Sequence, residues 1–441
     1  MSNDYLSSLP EDMIDEISTF FQHGNTLLSF NRNDSEPNKS YRALAQTCKS
    51  LRAHFQRRLF SHLYLPVCPR ICKFMELVQN NPILASYIQT IALEVDNTCM
   101  GHFQYPPLLA IMHAASSFGT SPKICLHIGY HWSLIDELVN LPFPSNTLTP
   151  ILNAPQTILH AVTDIQVERM NVAIPVSLFR LLPNLRLVHG SRFFLSSIDD
   201  KSSDNDNCSS EDHTVKYFRP KLDVLILDLC NLDTVKMLCE QIDLSAIQEL
   251  VLSWKQMGAT GTDSMNPNAK RLLAWYLLDR TQSVQKLKLD IGEVGPFYDL
   301  SRLQHLRRCT FELEVQGGIN PVQHLCQLLH TLPPLPEHDL EYLHLSFYLT
   351  DTPLDANDIS NSHVIFSVNT WSKFDNALVN VISSGTRPFT LTLAFYIPTR
   401  NNSVKLSLKK LFVDWGRKYL TKSSRQPNLN IVIHHPYSYS S

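Results

Sequence analysis

Cys68 and Cys72, four residues apart and close to His62, come nearest in this chain to a metal-ligand spacing. A structural zinc site needs four ligands, normally two such pairs brought together. No second pair follows, so buried, reduced thiols are the expected state. His434 and His435 form another ligand-like pair, able to take a metal only opportunistically. Gly258 to Thr262 reads GATGT, with glycines but without the lysine or the strand–helix frame that cradles phosphate. It is expected to be a turn. Asp and His are scattered, and no grouping supplies a nucleophile, a base and a group to orient them. The nucleophile-elbow, P-loop, H-E-x-x-H and G-x-G-x-x-G patterns are all missing. The residues therefore point away from an enzyme, and toward no cofactor and no metal.

Composition narrows the remaining classes. The chain has 441 residues, 44% hydrophobic and 18% charged, which describes a folded protein. That length suits two domains, or a small domain joined to a repeat array. Glycine is scarce at 13 and proline common at 26, as expected for short elements separated by turns. A net charge of −3 gives no sign of a nucleic-acid partner. The start, MSNDYLSS, has no basic stretch followed by an apolar one, and no run reaches the ~18 apolar residues of a membrane helix. A cytoplasmic or nuclear location with reduced cysteines is the expectation.

The elements begin with two amphipathic segments. Leu9, Met13, Ile14, Ile17, Phe20 and Phe21 fall at steps of three and four, with Pro10 in the first turn. Leu44, Cys48, Leu51, Phe55, Leu59 and Leu63 repeat the spacing. The first segment carries only acids, and residues 39–73 only bases; a solvated face is the expected use of both. About sixty residues are near the lower limit for a self-sufficient core, so these helices need further apolar surface to cover.

The stretch LPEDMIDEI followed by LAQTCKSLRAHFQRRLFSHLYL resembles an F-box, most closely the form common in fungal proteins. The match rests on Leu9, Pro10, Asp12 at the acidic position, Met13, Ile14 and Ile17, then on Cys48, Lys49 and Leu51. Asp12 replaces the usual Glu, Leu51 the usual Trp, and the link from Gln22 to Ser40 is long. The resemblance implies a helical domain that docks a Skp-type adaptor and, through it, the cullin of an SCF ubiquitin ligase. It implies that Leu9, Pro10, Asp12, Met13, Ile14, Ile17, Leu44, Cys48, Lys49 and Leu51 carry the adaptor contact.

Beyond residue 67 a spacing recurs. Residues 70–95 read as a helix, a turn at Asn80-Asn81-Pro82, a second short helix and a strand. That strand carries Ile88-x-x-Ile91-x-Leu93. The same L-x-x-L-x-L template returns at Val162/Ile165/Val167, Leu182/Leu185/Leu187, Leu222/Leu225/Leu227, Ile247/Leu250/Leu252, Val284/Leu287/Leu289, Leu306/Cys309/Phe311 and Leu340/Leu343/Leu345. Looser copies lie at 124–128, 391–393 and 429–433. Alternation at the end of the template means a short strand with one buried side, and the leading residue packs the turn before it. Stacked copies resemble a degenerate leucine-rich-repeat array, with parallel strands on a concave face and helices behind. In Leu222-x-x-Leu225-x-Leu227-x-x-Cys230-x-Leu232, Cys230 sits where the repeat family hydrogen-bonds the next repeat's backbone. Helices are expected over 232–241, 269–278, 322–332, 371–381 and 406–419, packing on the convex side, with Leu272, Leu273, Tyr276 and Leu277 on the apolar side of the second. Lys288, Glu312, His344, Thr392 and Trp254 fall between template positions, on the expected concave face.

The fold class expected is therefore α/β: a small N-terminal helical F-box over 1–66, then an irregular leucine-rich-repeat solenoid over 67–433, then a polar tail over 434–441. An acidic, serine-rich stretch at 196–218 reads as a disordered loop open to phosphorylation, and 351–365 as a second loop. The function expected is a substrate receptor that presents an unidentified target protein to an SCF ligase, with no nucleic acid and no membrane among its partners. The alternative is a leucine-rich-repeat binding scaffold outside ubiquitin ligases.

Overall fold

The computed structural model describes residues 52–66, 70–95, 105–129, 148–168, 173–191, 193–196, 219–253, 267–291, 299–315, 321–332, 339–349, 368–382, 388–397, 414, 418–426 and 429–438. The first amphipathic segment, the stretch 197–218, the Gly/Thr turn at 258–262, the loop at 351–365 and most of the helix expected over 406–419 lie outside them. The chain divides into two compact units, Met1–Leu185 with Phe193–Pro220, and Arg186–Arg192 with Lys221–Ser441.

In the first unit, α1 (Arg52–Ser61) runs directly into β1 (His62–Pro66). Leu63, which continues the helical spacing of 44–59, is therefore a strand residue, buried beside Leu65. Helix α2 (Arg70–Asn80) ends where Pro82 opens a 3-10 turn, Pro82–Tyr87, because proline cannot continue the hydrogen-bond ladder. Strand β2 (Thr90–Val95), α3 (Tyr105–Ser117), β3 (Lys123–Gly129), α4 (Thr149–Leu152), α5 (Gln156–Ala161) and β4 (Val162–Glu168) follow. Strands β1 to β4 lie side by side in that order, all parallel. Leu65, Leu93, Leu126 and Ile165 share one register row and are all buried. Val78, Ala85 and Ala115 form a small core where α2, the 3-10 turn and α3 meet. Helix α3 ends on Gly119, whose φ of 77° needs a residue without a Cβ penalty; Thr120 then returns both its N–H and its hydroxyl to the Ala115 carbonyl. Strand β5 (Ala173–Pro175) and α6 (Ser177–Arg180) precede β6 (Leu187–Ser191), which belongs to the second unit; β7 (Phe194–Ser196) then pairs parallel with β5.

The second unit is built on β6 and on β8 (Val224–Asp228), β9 (Glu249–Ser253), β10 (Lys286–Ile291), β11 (Arg308–Val315), β12 (Tyr342–Leu349), β13 (Phe389–Ile397) and β14 (Leu429–Ser438). They stand in that spatial order, each parallel to the next. Helices α7 (Leu232–Gln241), α8 (Pro267–Leu278), α9 (Pro321–Leu329) and α10 (Val368–Ile382) fall between them. One buried row runs Val188, Leu225, Leu250, Leu287, Cys309, Leu343 and Leu391. A second runs Gly190, Leu227, Leu252, Leu289, Phe311, Leu345 and Leu393.

Backbone hydrogen bonds tie the strand starts together. The Arg186 carbonyl accepts N–H groups from Asp223 and Val224, the Asp223 carbonyl from Gln248 and Glu249, and the Gln248 carbonyl from Gln285 and Lys286. The Gln285 carbonyl accepts from Arg307 and Arg308, and that of Arg307 from Glu341 and Tyr342. One acceptor serving two donors at each step satisfies backbone groups that a turn would otherwise leave unpaired. Before the strands, Ile247 N–H bonds Leu244 O and Leu306 N–H bonds Leu303 O, a tight turn that buries the leading template residue.

Several expectations shift. The template at Leu182/Leu185/Leu187 is three residues out of register: Val188 and Gly190 occupy the inward positions, and Leu187 stands on the other face. Leu182 is instead the turn residue, and its carbonyl accepts the Leu185 N–H as Leu303 does for Leu306. On α8, Leu273, Ala274, Leu277 and Leu278 face the core, whereas Leu272, expected there, is exposed. The buried thiol of Cys230 reaches back to the Gly190 carbonyl at 3.4 Å, on the preceding strand rather than the following one. The segment expected as a polar tail from 434 continues β14 through Ser438, with a register shift opposite Ala394 to Tyr396 that accommodates Pro436.

Candidate functional site

Alternation assigns every strand residue of the second unit to one of two faces. Phe347, of the same parity as Leu343 and Leu345, meets the Trp371 ring of α10 at 6.0 Å, which fixes that parity as the helix side. The opposite parity forms the face away from α10, exposed at Lys286 and Arg308 and buried at Asp290, Glu312, Ser346, Thr392 and Ala394. Across β10 to β13 its rows are Lys286, Arg308, Tyr342 and Thr390; then Lys288, Thr310, His344 and Thr392; then Asp290, Glu312, Ser346 and Ala394.

This face carries a connected polar network. Lys288 Nζ lies 2.9 Å from Glu312 Oε1, and the same oxygen accepts the Tyr348 hydroxyl at 3.2 Å. The lysine is 42% exposed and the glutamate 10%, so the pair is screened from one side only. Tyr348 stacks on its register partner Tyr396, centroids 4.4 Å apart and planes within 5°. His344 Nδ1 lies 3.3 Å from the Tyr342 hydroxyl, and its Nε2 lies 2.8 Å from Ser346 Oγ. A neutral imidazole satisfies both, donating at one nitrogen and accepting at the other. Lys286 pairs with Glu249 at 3.2 Å, and Arg308 beside it is exposed.

The arrangement suits binding better than bond-making. Ser346 is buried and sits mid-strand, so its contact with His344 leaves no approach for a substrate carbonyl. Burial pushes the Cys239 thiol up to about 12 and the Cys326 thiol up to about 11, and raises Cys125 and Cys309 as well, the reverse of what a nucleophile needs. Among the described residues, no group of three or more His, Cys, Asp or Glu side chains could hold a metal ion. None of the helices among them is long and apolar enough to cross a membrane. In the first unit the equivalent face is covered in the same way: Glu94 and Gln166 are buried, Tyr64 meets the His127 ring edge-on, and burial raises the Asp164 carboxyl. An apolar crevice behind that sheet, lined by residues such as Leu93, Leu126, Ile158 and Val162, holds about 10 Å³, room for no more than a water.

Lys288, His344 and Thr392, expected together, share one row, and Glu312 stands in the next, joined to Lys288. Trp254 lies outside the described residues. So do all ten expected adaptor contacts, Leu9, Pro10, Asp12, Met13, Ile14, Ile17, Leu44, Cys48, Lys49 and Leu51, and Cys68 of the cysteine pair. The described residues begin at α1, directly after Leu51, where Phe55 is buried and Phe60 packs on Phe74 of α2. Tyr342, Ser346, Tyr348 and Tyr396 were not singled out from sequence, although two-residue steps from His344 and Thr392 lead to each. No model of a known protein family matches the chain, and no curated protein is significantly similar to it.

Proposed function

We propose that the chain is a substrate receptor: a leucine-rich-repeat-type array that holds a target protein on the sheet face of its second unit away from α10, around the exposed Lys286, Arg308 and the half-buried Lys288, joined to an F-box-like N-terminus that docks a Skp-type adaptor and its cullin. The observation that carries the receptor half is the row-by-row alignment of Lys288, Glu312, His344, Tyr348 and Tyr396 on one face of the sheet. Tyrosines with few rotors, next to fixed charges, give affinity and orientation at small entropic cost. The adaptor half rests on the resemblance of residues 9–51. The receptor acts by proximity, raising the target's effective concentration near a ubiquitin-loaded partner, in the cytoplasm or nucleus.

Two variants of the full chain test the halves separately. Tyr396→Ala with Lys288→Ala removes the target and keeps the adaptor in co-purification from host lysate. Met13→Asp with Ile14→Asp removes the adaptor and keeps the target. If the second pair leaves adaptor capture unchanged, the adaptor face is misassigned. If no adaptor is captured by the unaltered chain, the scaffold reading outside ubiquitin ligases replaces the receptor reading.

A further inference from the structure

Two arginines stand at the start of β11, and their backbone is fixed from both sides. The N–H groups of Arg307 and Arg308 donate to the Gln285 carbonyl at 2.8 and 2.9 Å, and the Arg307 carbonyl accepts those of Glu341 and Tyr342 in turn. Both arginines are exposed, and among the described residues neither guanidinium has an ion-pair or hydrogen-bond partner. Register sets Arg308 directly opposite Lys286, on strands about 4.8 Å apart. Like charges placed opposite one another on neighbouring strands cost stability, so the pair gives the fold nothing through its own packing.

Depth separates the two signs of charge here. The cations are outermost: Lys286, Arg307 and Arg308 are exposed and Lys288 is half-buried. The acids at neighbouring positions lie lower, Glu249 and Glu341 half-buried, Asp290 and Glu312 buried. Glu249 is taken by Lys286 at 3.2 Å and Glu312 by Lys288 at 2.9 Å, and neither reaches the two arginines. A partner approaching this part of the face meets positive charge first, in the form of two planar donor forks that match the geometry of carboxylates.

We infer that the start of β10 and β11 is the docking point for an acidic segment of the target protein, whose Asp or Glu carboxylates are taken by Arg308 and Arg307 with Lys286 beside them. The inference rests on the receptor reading, which assigns this sheet face to the target, and adds the chemistry of what the face holds. The backbone hydrogen bonds on both sides keep the two forks at a fixed spacing, so little further order is lost when carboxylates arrive.

Fluorescence anisotropy of the full chain tests this with labelled peptides of one length that alternate serine with glutamate, glutamine or lysine. The glutamate peptide is expected to bind about tenfold tighter than the glutamine peptide and to weaken as salt is raised, while the lysine peptide stays unbound. Arg308→Gln is expected to weaken the glutamate peptide about fivefold, and Arg307→Gln with Arg308→Gln about twentyfold. Arg308→Lys keeps part of the affinity, because the charge survives and the fork does not. The urea midpoint of Arg308→Gln is expected to stay level or rise, because a like-charge pair is relieved. No preference for glutamate over glutamine, unchanged binding in the double variant, or a lowered urea midpoint in Arg308→Gln overturns the assignment. So does Arg308-dependent binding of polyuridine tighter than that of the glutamate peptide, which gives the arginines to a nucleic acid. Capture of a purified Skp-type adaptor by the same preparation is scored alongside. Adaptor bound without a glutamate preference removes the acidic partner alone; a glutamate preference without adaptor removes the ligase reading alone.

Discussion

Asp375 of α10 is 2% exposed, and its carboxylate gathers three donors from a segment nearly fifty residues away. The N–H groups of Lys422 and Ser423 approach at 2.8 and 2.9 Å, and the Ser423 hydroxyl completes the set. Ser423 is itself fully buried, so water cannot simply replace the lost acceptor. Hydrogen bonds to a charged group contribute about 1.5–3 kcal/mol each, and two backbone donors lose theirs together in Asp375→Ala. Allowing for partial rehydration, a combined loss of about 3 kcal/mol follows, or about 150-fold in the local opening constant. Asp375→Asn keeps one acceptor oxygen and should cost about half as much, or about tenfold. Hydrogen exchange resolved over residues 418–426 measures this directly, without requiring that the two-unit chain unfold in one step. Exchange in Asp375→Ala within about threefold of the unaltered chain would refute the reasoning, since the clamp would then contribute less than one ordinary hydrogen bond.

Gly119→Ala should destabilise the first unit by about 1 kcal/mol in urea titration, from backbone strain alone, because an added Cβ there meets nothing within 4 Å. A double-mutant cycle of Lys288→Met and Glu312→Gln should return a coupling of about 1 kcal/mol, discounted from buried-pair values because the lysine is 42% exposed. Stability should fall at alkaline pH. The folded-state thiols of Cys239 and Cys326 stand at about 12 and about 11, above their unfolded value near 9, so their contribution is intact below pH ~9 and is lost progressively above it. Stability should also fall below pH ~6.5, because burial lowers His189 and His324 beneath the model-peptide value and the unfolded chain then binds more protons; urea midpoints at pH 7.5, 6.5 and 5.5 check the sign.

Much of the second unit was legible because its strands repeat one physical problem. Leu222/Leu225/Leu227 and its neighbours alternate because one face of each strand meets helices, so the spacing and the pairing register carry the same information. Helix α7 matched to the residue, since Asn231 accepts the Thr234 N–H and fixes its start. The failures have identifiable causes. Gly190 fills an inward position without a side chain, so the pattern slid to a chance match three residues earlier. Helix α3 was not anticipated; Pro106 and Pro107 stand in its first turn, where proline is tolerated. The short pair β5–β7 spans three residues on each side, too few for any period to show. Leu272 was assigned to the core because Leu272, Leu273, Tyr276 and Leu277 all fit a helical stripe; only packing shows which edge of that stripe is covered. On the face away from α10, Tyr348 and Tyr396 were present as parity neighbours, but their stacking depends on register across two strands, which no single segment encodes.

The most direct test is calorimetric titration of the purified full chain with a purified Skp-type adaptor, alongside Met13→Asp with Ile14→Asp. A receptor gives a one-to-one complex that the paired substitution abolishes while hydrogen exchange across β8 to β13 stays unchanged. Absence of heat and of a complex with the unaltered chain, its second unit intact by the same exchange measurement, would contradict the receptor reading and leave a binding scaffold without a ligase.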